Sequence, residues 1–365
     1  MKTLFLYIGP ARAHKKMAES LGAKFRYAYP WGGLRILKPI KLFIYILSMP
    51  KDYDIYLCEG SSYLFPALLK MFHMLKVNSK IVMIAADPLF HYLRNGIINI
   101  KSMPTLLLYK ILFKYIDDFI CVSKSVEEDV KYVVPHGNTI VIYPLVETAK
   151  KILFKRYSNK LPNLNSKNIV FVGRPDIYYK GIDILITSFL KIKRIYPDSK
   201  LILVGNFYKE TILEYEQKAA IKMPVCTVKK ILDAINNKRN DIIILNNLSD
   251  INLLKTFKMA SIYLHLGRGD AFPLSVEEAM LAGLPAIVSD QTGSKELVEA
   301  IGKNFVVPMQ QEKIVKAVTD YFSSSYKRKI FLSKKAISAS QKFSLKSEAI
   351  FNKKFKVSSL GKKDF

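Results

Sequence analysis

Acidic residues are scarce in this 365-residue chain: 30 Asp and Glu stand against 57 Lys and Arg, a formal net charge of +27. Cysteine is scarce as well. Cys58, Cys121 and Cys226 are odd in number and far apart, which excludes a disulfide framework and a CxxC metal site and suits a reducing compartment. No uninterrupted apolar run reaches the roughly 18–20 residues of a spanning helix. The opening MKTLFLYIGP is too short for a secretory leader and reads as a first strand. No solenoid period repeats. What is present is an ordinary globular composition, 50% hydrophobic and 24% charged, at a length that suits two domains.

The charge is uneven. Residues 1–50 carry nine Lys or Arg and one acid, Glu19, and residues 301–365 carry fifteen basic residues against four acidic. Residues 251–300 reverse the trend, with six acids and four bases. A basic surface attracts nucleic acid, but no helix-turn-helix, zinc finger or RNP-type strand is visible, so nucleic acid is disfavoured. It also attracts an anionic membrane. Residues 34–49 and 104–115 are apolar with interspersed Arg35, Lys38, Lys41, Lys110 and Lys114. That pattern fits a basic amphipathic helix in the membrane interface, and equally a helix packed on a sheet with its lysines turned outward.

Short β-branched runs alternate with helix-length segments. Residues 3–8, 55–58, 80–84, 119–122 and 139–143 read as strands, with helices over 13–21, 34–48, 62–75, 105–115 and 125–132. Ser125 followed by Glu128 reads as a capping box. Residues 147–167 are polar and lysine-rich, with Pro162, and read as a connection. The alternation then resumes with strands at 169–172, 201–204, 242–245, 261–264, 286–289 and 305–307, and helices at 181–195, 249–259, 274–282 and 313–322. Residues 208–238 read as a helical insertion. This rhythm predicts an α/β protein of two doubly wound, Rossmann-like domains facing a central crevice. The divisions are 1–150, a linker over 151–167, a second domain over 168–335 and a basic helical tail over 336–365.

Two stretches carry chemistry. In residues 261–298, SIYLHLGRGDAFPLSVEEAMLAGLPAIVSDQTGSKELV, a strand runs into a Gly-rich loop ending at Asp270. Pro273 opens a helix that stops at Gly283 and Pro285. The helix N-terminus offers free N–H groups and partial positive charge to a diphosphate. Asp270 and Glu278, with seven residues between them, could hold the hydroxyls of a sugar and a ribose. Glu277, about 100° away, is expected to be solvated. In residues 171–182, FVGRPDIYYKGI, Gly173 and Arg174 leave a strand and Lys180 opens the next helix. Two cations at that edge would neutralise a departing diphosphate.

The order GRxxxxKG, strand–Gly, then acid-x7-Glu-Ala-Met with AGLP and SDQTGSKELV resembles the family-four retaining glycosyltransferases of GT-B fold, glycosyl transferases group 1. The resemblance is close from residue 169 to about 307 and is one of rhythm alone before that. It implies that Arg174 and Lys180 bind the donor diphosphate and that Glu278 holds the nucleotide ribose. Asp270, standing where the family normally has Glu, would hold hydroxyls of the donor sugar. Gly173, Ala271, Phe272 and Leu274 would lie beside sugar and phosphates. Gly205 would be the glycine of a nucleotide-side loop, with Leu248 near the base. Pro273 replaces the usual Gly. In the first half, the family's Gly-Gly loop is present only as Gly9-Pro10-Ala11-Arg12. The familiar active-site His is absent from Ala85-Ala86-Asp87-Pro88, so Asp87, or His91 four residues later, would face the reaction centre. His14, His73, His136 and His265 show no metal spacing and read as structural.

The resemblance implies a retaining, metal-independent hexosyltransferase. It would need no cofactor beyond its nucleotide-diphosphate-sugar donor, a UDP- or GDP-sugar. The acceptor would be a glycan or a lipid-linked molecule, and the location cytoplasmic, peripheral on the inner membrane face. The alternatives are an epimerase-like GT-B enzyme and a basic nucleic-acid-associated protein.

Overall fold

The computed structural model describes residues 2–8, 12–28, 44–97, 103–157, 160–219 and 221–355. Gly9 and most of the basic amphipathic stretch at 34–49 lie outside them. Within residues 44–49, Tyr45 and Met49 are buried while Ile44 and Leu47 are exposed. The chain forms two compact units, Met1–Pro144 with Ser347–Phe365, and Leu145–Lys346.

The first unit is built on strands β1 (Thr3–Tyr7), β2 (Lys24–Tyr27), β3 (Ile55–Glu59), β4 (Lys80–Ala85), β5 (Asp118–Cys121) and β6 (Asn138–Val141). Their order is β2-β1-β3-β4-β5-β6, and every pairing is parallel. Parallel neighbours require crossover helices, which cover the sheet faces and leave β3 buried along its length. Much of the core is aromatic: Phe90 stacks on Phe113 at 5.2 Å and meets Phe119 edge-on at 5.9 Å. β2 is not foreseen in the sequence. It is a four-residue edge strand, Lys-Phe-Arg-Tyr, whose charges suit an edge and hide the strand pattern. Another difference is the start of the helix Lys124–Val133. Ser123 caps it, accepting from the Val126 N–H at 3.2 Å, in place of the expected Ser125.

The second unit contains β7 (Ile169–Val172), β8 (Leu201–Val204), β9 (Ile242–Leu245), β10 (Ile262–His265), β11 (Ala286–Ser289) and β12 (Val306–Val307). Their order, β12-β11-β10-β7-β8-β9, is again parallel throughout. β8, β10 and β11 are buried at every residue, as strands covered on both faces must be. The stretch read as a connection includes a helix, Thr148–Arg156, whose Phe154 is fully buried and edge-on to Phe257 at 6.1 Å. Phe154 and Leu153 belong to the second core although lysines surround them in sequence, while Ile152 stays exposed. The expected insertion is two helices, Lys209–Lys218 and Val225–Asn236. The last helix, Tyr326–Phe355, begins ten residues before the expected tail, and its Leu332, Ser333, Ala336 and Ser340 are buried.

In each sheet one pair of neighbouring strands sends its connections in opposite directions. That pair is β1 and β3 in the first sheet and β7 and β10 in the second. Ligands of open α/β sheets bind outside the carboxyl ends of such a pair. Gly181 shows how tightly the second pair is drawn together. It has φ +65° at the start of the helix Ile182–Ile195, and a Cβ there would lie 1.7 Å from the Leu266 carbonyl oxygen. Gly181→Ala is therefore expected to lower stability by at least about 2 kcal/mol, from backbone strain plus displacement of the loop after β10. Chemical denaturation of the two proteins measures it.

Candidate active site

The β7 and β10 ends bring most of the predicted donor residues together. Gly173 follows β7 and Gly205 follows β8. A Cβ on Gly205, whose φ is +145°, would come 2.1 Å from the Gly173 carbonyl oxygen, so the two turns need a bare backbone. Arg174 is exposed, with its guanidinium 6.0 Å from the Tyr215 ring, and it makes no ion pair among the described residues. Asp176 holds the turn by accepting from the Tyr179 N–H at 3.0 Å.

Asp270 is the centre of this cluster and only 5% exposed. Its Oδ2 accepts from Lys180 Nζ at 2.5 Å and lies 2.8 Å from His265 Nε2, while Oδ1 accepts from the Tyr179 hydroxyl at 3.2 Å. Burial alone would raise the Asp270 carboxyl. The Lys180 ammonium and His265 more than offset it and hold the group well below the usual carboxylate range. His265 is fully buried, stacked on Phe171 at 5.5 Å and 15°. Burial lowers its pKa, so the ring is neutral and Nε2 carries the proton that meets Asp270. Asp270 thus spends three of its roughly four lone-pair directions on this chain. Its partners on this chain are Lys180, His265 and Tyr179.

The loop between β10 and the next helix is fastened on both sides. Arg268 makes a two-pronged ion pair with Asp183 at 2.7 and 2.8 Å, and its N–H donates to the Tyr179 carbonyl at 2.8 Å. Gly293 and Thr292, from the loop after β11, both donate to the Asp270 carbonyl. The helix Leu274–Leu281 then starts after Pro273 with no side-chain cap. Ser275 Oγ donates to the Val172 carbonyl at 3.2 Å, tying this N-terminus to the end of β7. The start of a helix without a side-chain cap, Lys180 and Arg174 therefore share one edge, the electrostatics an anion requires. Ala271 and Phe272 are buried, Phe272 stacking on Phe343 at 5.7 Å. Leu274 and Leu248 are half-buried and pack on the second core. Among the described residues no three His, Cys, Asp or Glu side chains group as metal ligands.

Glu278 sits one turn into this helix. Lys150 Nζ donates to its Oε1 at 3.0 Å and reaches Asp250 Oδ1 at 3.1 Å. Burial pushes the Glu278 carboxyl up, and Lys150 opposes the shift. Glu277, expected to be solvated, is buried instead. The last helix covers that face, with Ser340 Oγ donating to the Glu277 carbonyl at 3.2 Å.

In the first unit, Asp87 follows β4 and accepts from the Leu89 N–H at 3.1 Å. Burial raises its carboxyl, and the neighbouring Glu59 adds to the rise. Gly60, at φ +51°, makes room for it: a Cβ there would lie 2.8 Å from Asp87 Oδ2. His91 lies on the helix Leu89–Arg94, with Nδ1 3.5 Å from Asp129 Oδ2. At the β1/β3 pair a cluster appears that sequence reading missed. His14 Nδ1 lies 2.6 Å from Glu59 Oε1, and Glu59 Oε2 accepts from the Ile8 N–H at 2.9 Å. Lys150 was missed too, and His265, read as structural, stands against Asp270. Glu59 and His265 each close a strand, so asking which titratable residues end strands would have found both. Lys150 stands in a run of lysines and carries no such signal.

Removing the Asp270 charge leaves Lys180 buried without its carboxylate. Asp270→Asn is expected to cost about 3–5 kcal/mol near pH 7. The folded pKa of Asp270 is depressed, so its contribution is present above the unfolded value of about 3.9 and is lost as pH falls below that. The stability gap between wild type and variant should therefore shrink below about pH 4, which thermal melts across pH 2–7 will measure.

The family model for glycosyl transferases group 1 matches residues 154–337. An uncharacterized glycosyltransferase of Haemophilus influenzae is 30% identical over 162 residues, which span 44% of this chain and only 40% of that relative. Among solved structures, a sucrose-phosphate synthase of Thermosynechococcus elongatus superposes with a TM-score of 0.69 at 15% identity, covering 98% of this chain and 100% of that one. HepE of Anabaena, solved with UDP and glucose, gives 0.65 at 17% identity over 99% and 100%. These likenesses show the fold, two Rossmann-like α/β domains of GT-B type. With the family model covering half of its length, the chain belongs to the glycosyl transferases group 1 family.

Proposed function

We propose that the second unit binds a nucleotide-diphosphate sugar and that the protein transfers a hexose from it to a glycan or lipid-linked acceptor, with retention. One observation carries this reading: Lys180, Arg174 and the uncapped start of the helix Leu274–Leu281 meet at the β7/β10 edge. HepE, which shares the fold, was solved with UDP-glucose, which supports a UDP-sugar as donor; a GDP-sugar is the other candidate. Lys180 has three N–H bonds, and Asp270 uses one, so the others can turn to a phosphate.

In this reaction the acceptor oxygen forms a bond to the anomeric carbon as the bond from that carbon to the β-phosphate oxygen breaks. The nucleoside diphosphate leaves with the electron pair. Its departing oxygen takes the acceptor's proton on the same face. Lys180, Arg174 and the helix dipole stabilise the charge as it develops, and this set of cations needs no metal to complete it. Glu278 holds the ribose, and Asp270 orients Lys180 and offers its last lone pair to the sugar. Asp87, Glu59 and His14, at the corresponding edge of the first unit, would receive the acceptor. The epimerase and nucleic-acid readings gain no support from the family match.

The acceptor side would meet an anionic membrane at the cytoplasmic face. No helix among the described residues is long and apolar enough to cross a membrane. The helix Met103–Phe113 nevertheless exposes Leu107, Leu108 and Ile111 around Lys110, and each basic residue near anionic lipid adds about 1 kcal/mol.

UDP or GDP should raise the melting temperature, and Glu278→Ala should abolish the rise. A folded wild-type protein that responds to no nucleotide would sink the donor assignment. Lys180→Met, checked for folding, should lower kcat by about 100- to 1,000-fold. Co-sedimentation with phosphatidylglycerol vesicles should exceed that with phosphatidylcholine and should drop in a Leu107→Ser/Ile111→Ser variant; equal pelleting of both proteins would remove the membrane surface.

A further inference from the structure

We propose that Lys150 is a positioning residue of the donor site: it holds the Glu278 carboxylate through Oε1 so that Oε2 stays available to a ribose hydroxyl. This rests on the reading of Glu278 as the ribose group. Lys150 is distant in sequence from every motif of the site and was not among the residues the resemblance implies.

The geometry is specific. Lys150 is buried to 17% side-chain exposure, unlike most lysines of this chain, and Glu278 to 12%. Phe154, one turn further along the same face, is fully buried against Phe257 and fixes the helix Thr148–Arg156 to the helix Asp250–Met259. That anchor delivers the ammonium to a point between two carboxylates, 3.0 Å from Glu278 and 3.1 Å from Asp250. Glu278 Oε2 takes no hydrogen bond from any described residue. An ionised carboxylate is a stronger acceptor for a ribose diol than a neutral one, and burial opposes that charge unless a cation stands beside it.

Three groups face Glu278: Lys150 from one helix, Asp250 from a second, and the Tyr263 phenol from β10. Tyr263 stays neutral because burial raises its pKa further. Lys150 lowers the Glu278 pKa, while burial and Asp250 raise it.

The test is calorimetric titration of the full-length protein with UDP, or with GDP if that is the nucleotide the wild type binds, from pH 5.5 to 8.5. Lys150→Met should weaken binding about tenfold at pH 7, the size of one charge-assisted hydrogen bond, and should move the acid-side loss of binding to higher pH. Lys150→Arg should restore most of it. Asp250→Asn, at a side chain that is half exposed, should move the acid-side loss to lower pH, and it reports even if Lys150→Met fails to fold. A 2′,3′-dideoxy nucleotide should bind wild type and Lys150→Met alike. Unchanged UDP affinity and pH profile in Lys150→Met, or an unmoved profile in Asp250→Asn, would overturn the role of Lys150. A wild type that binds neither nucleotide would instead overturn the donor reading beneath it.

Discussion

A carboxylate taken out of water must find a cation, and in the second unit that requirement decides how two strands end. Asp270 arrives on the loop after β10, and Lys180 arrives from the turn after β7. Their pairing pulls both turns to one point. His265 adds a neutral donor from the last residue of β10, and Tyr179 adds a hydroxyl. Each ion alone would cost several kcal/mol at this depth, so the pair holds only because both are present. The close approach of Gly181 to Leu266 lies at the same convergence.

The convergence also sets up the anion edge. Once Asp270 is pinned, the chain turns through Pro273 into a helix whose first N–H groups have no side-chain cap. Ser275 ties that start to the end of β7, beside Arg174. Orientation of Lys180 and exposure of the helix N-terminus are thus one structural event. Two further close pairs recur in the structure: Lys150 with Glu278 and Asp250, and His14 with Glu59. Many of the other described lysines lie on the surface.

The fold was largely legible in advance because parallel strands covered on both faces are short, continuous apolar runs, and eleven of the twelve strands read that way. β2 escaped because an edge strand carries charges. The helix Thr148–Arg156 escaped because three apolar residues among lysines look like a linker until a core is there to receive Phe154. Glu277 read as solvated because helical geometry turns it away from Glu278, and only the last helix shows what covers it. In the candidate site, Arg174, Lys180, Asp270 and Glu278 were legible as candidates from motif spacing and the family resemblance. Lys150, His265, Glu59 and His14 were not, since each acts through a partner remote in sequence or on another element.

The sequence by itself determined the strand–helix alternation, the two-sheet plan, the glycines at the turns and the acid–x7–Glu spacing on one helix. These depend on period, turn chemistry and residues within one or two turns of each other, all of which are local. Tertiary structure alone decided that Asp270 pairs with Lys180, that Glu278 shares a lysine with Asp250, and that Glu59 grips His14. Those outcomes rest on burial and on charges meeting across 45 to 128 residues of chain, and a desolvated charge has no meaning until the fold has excluded the water.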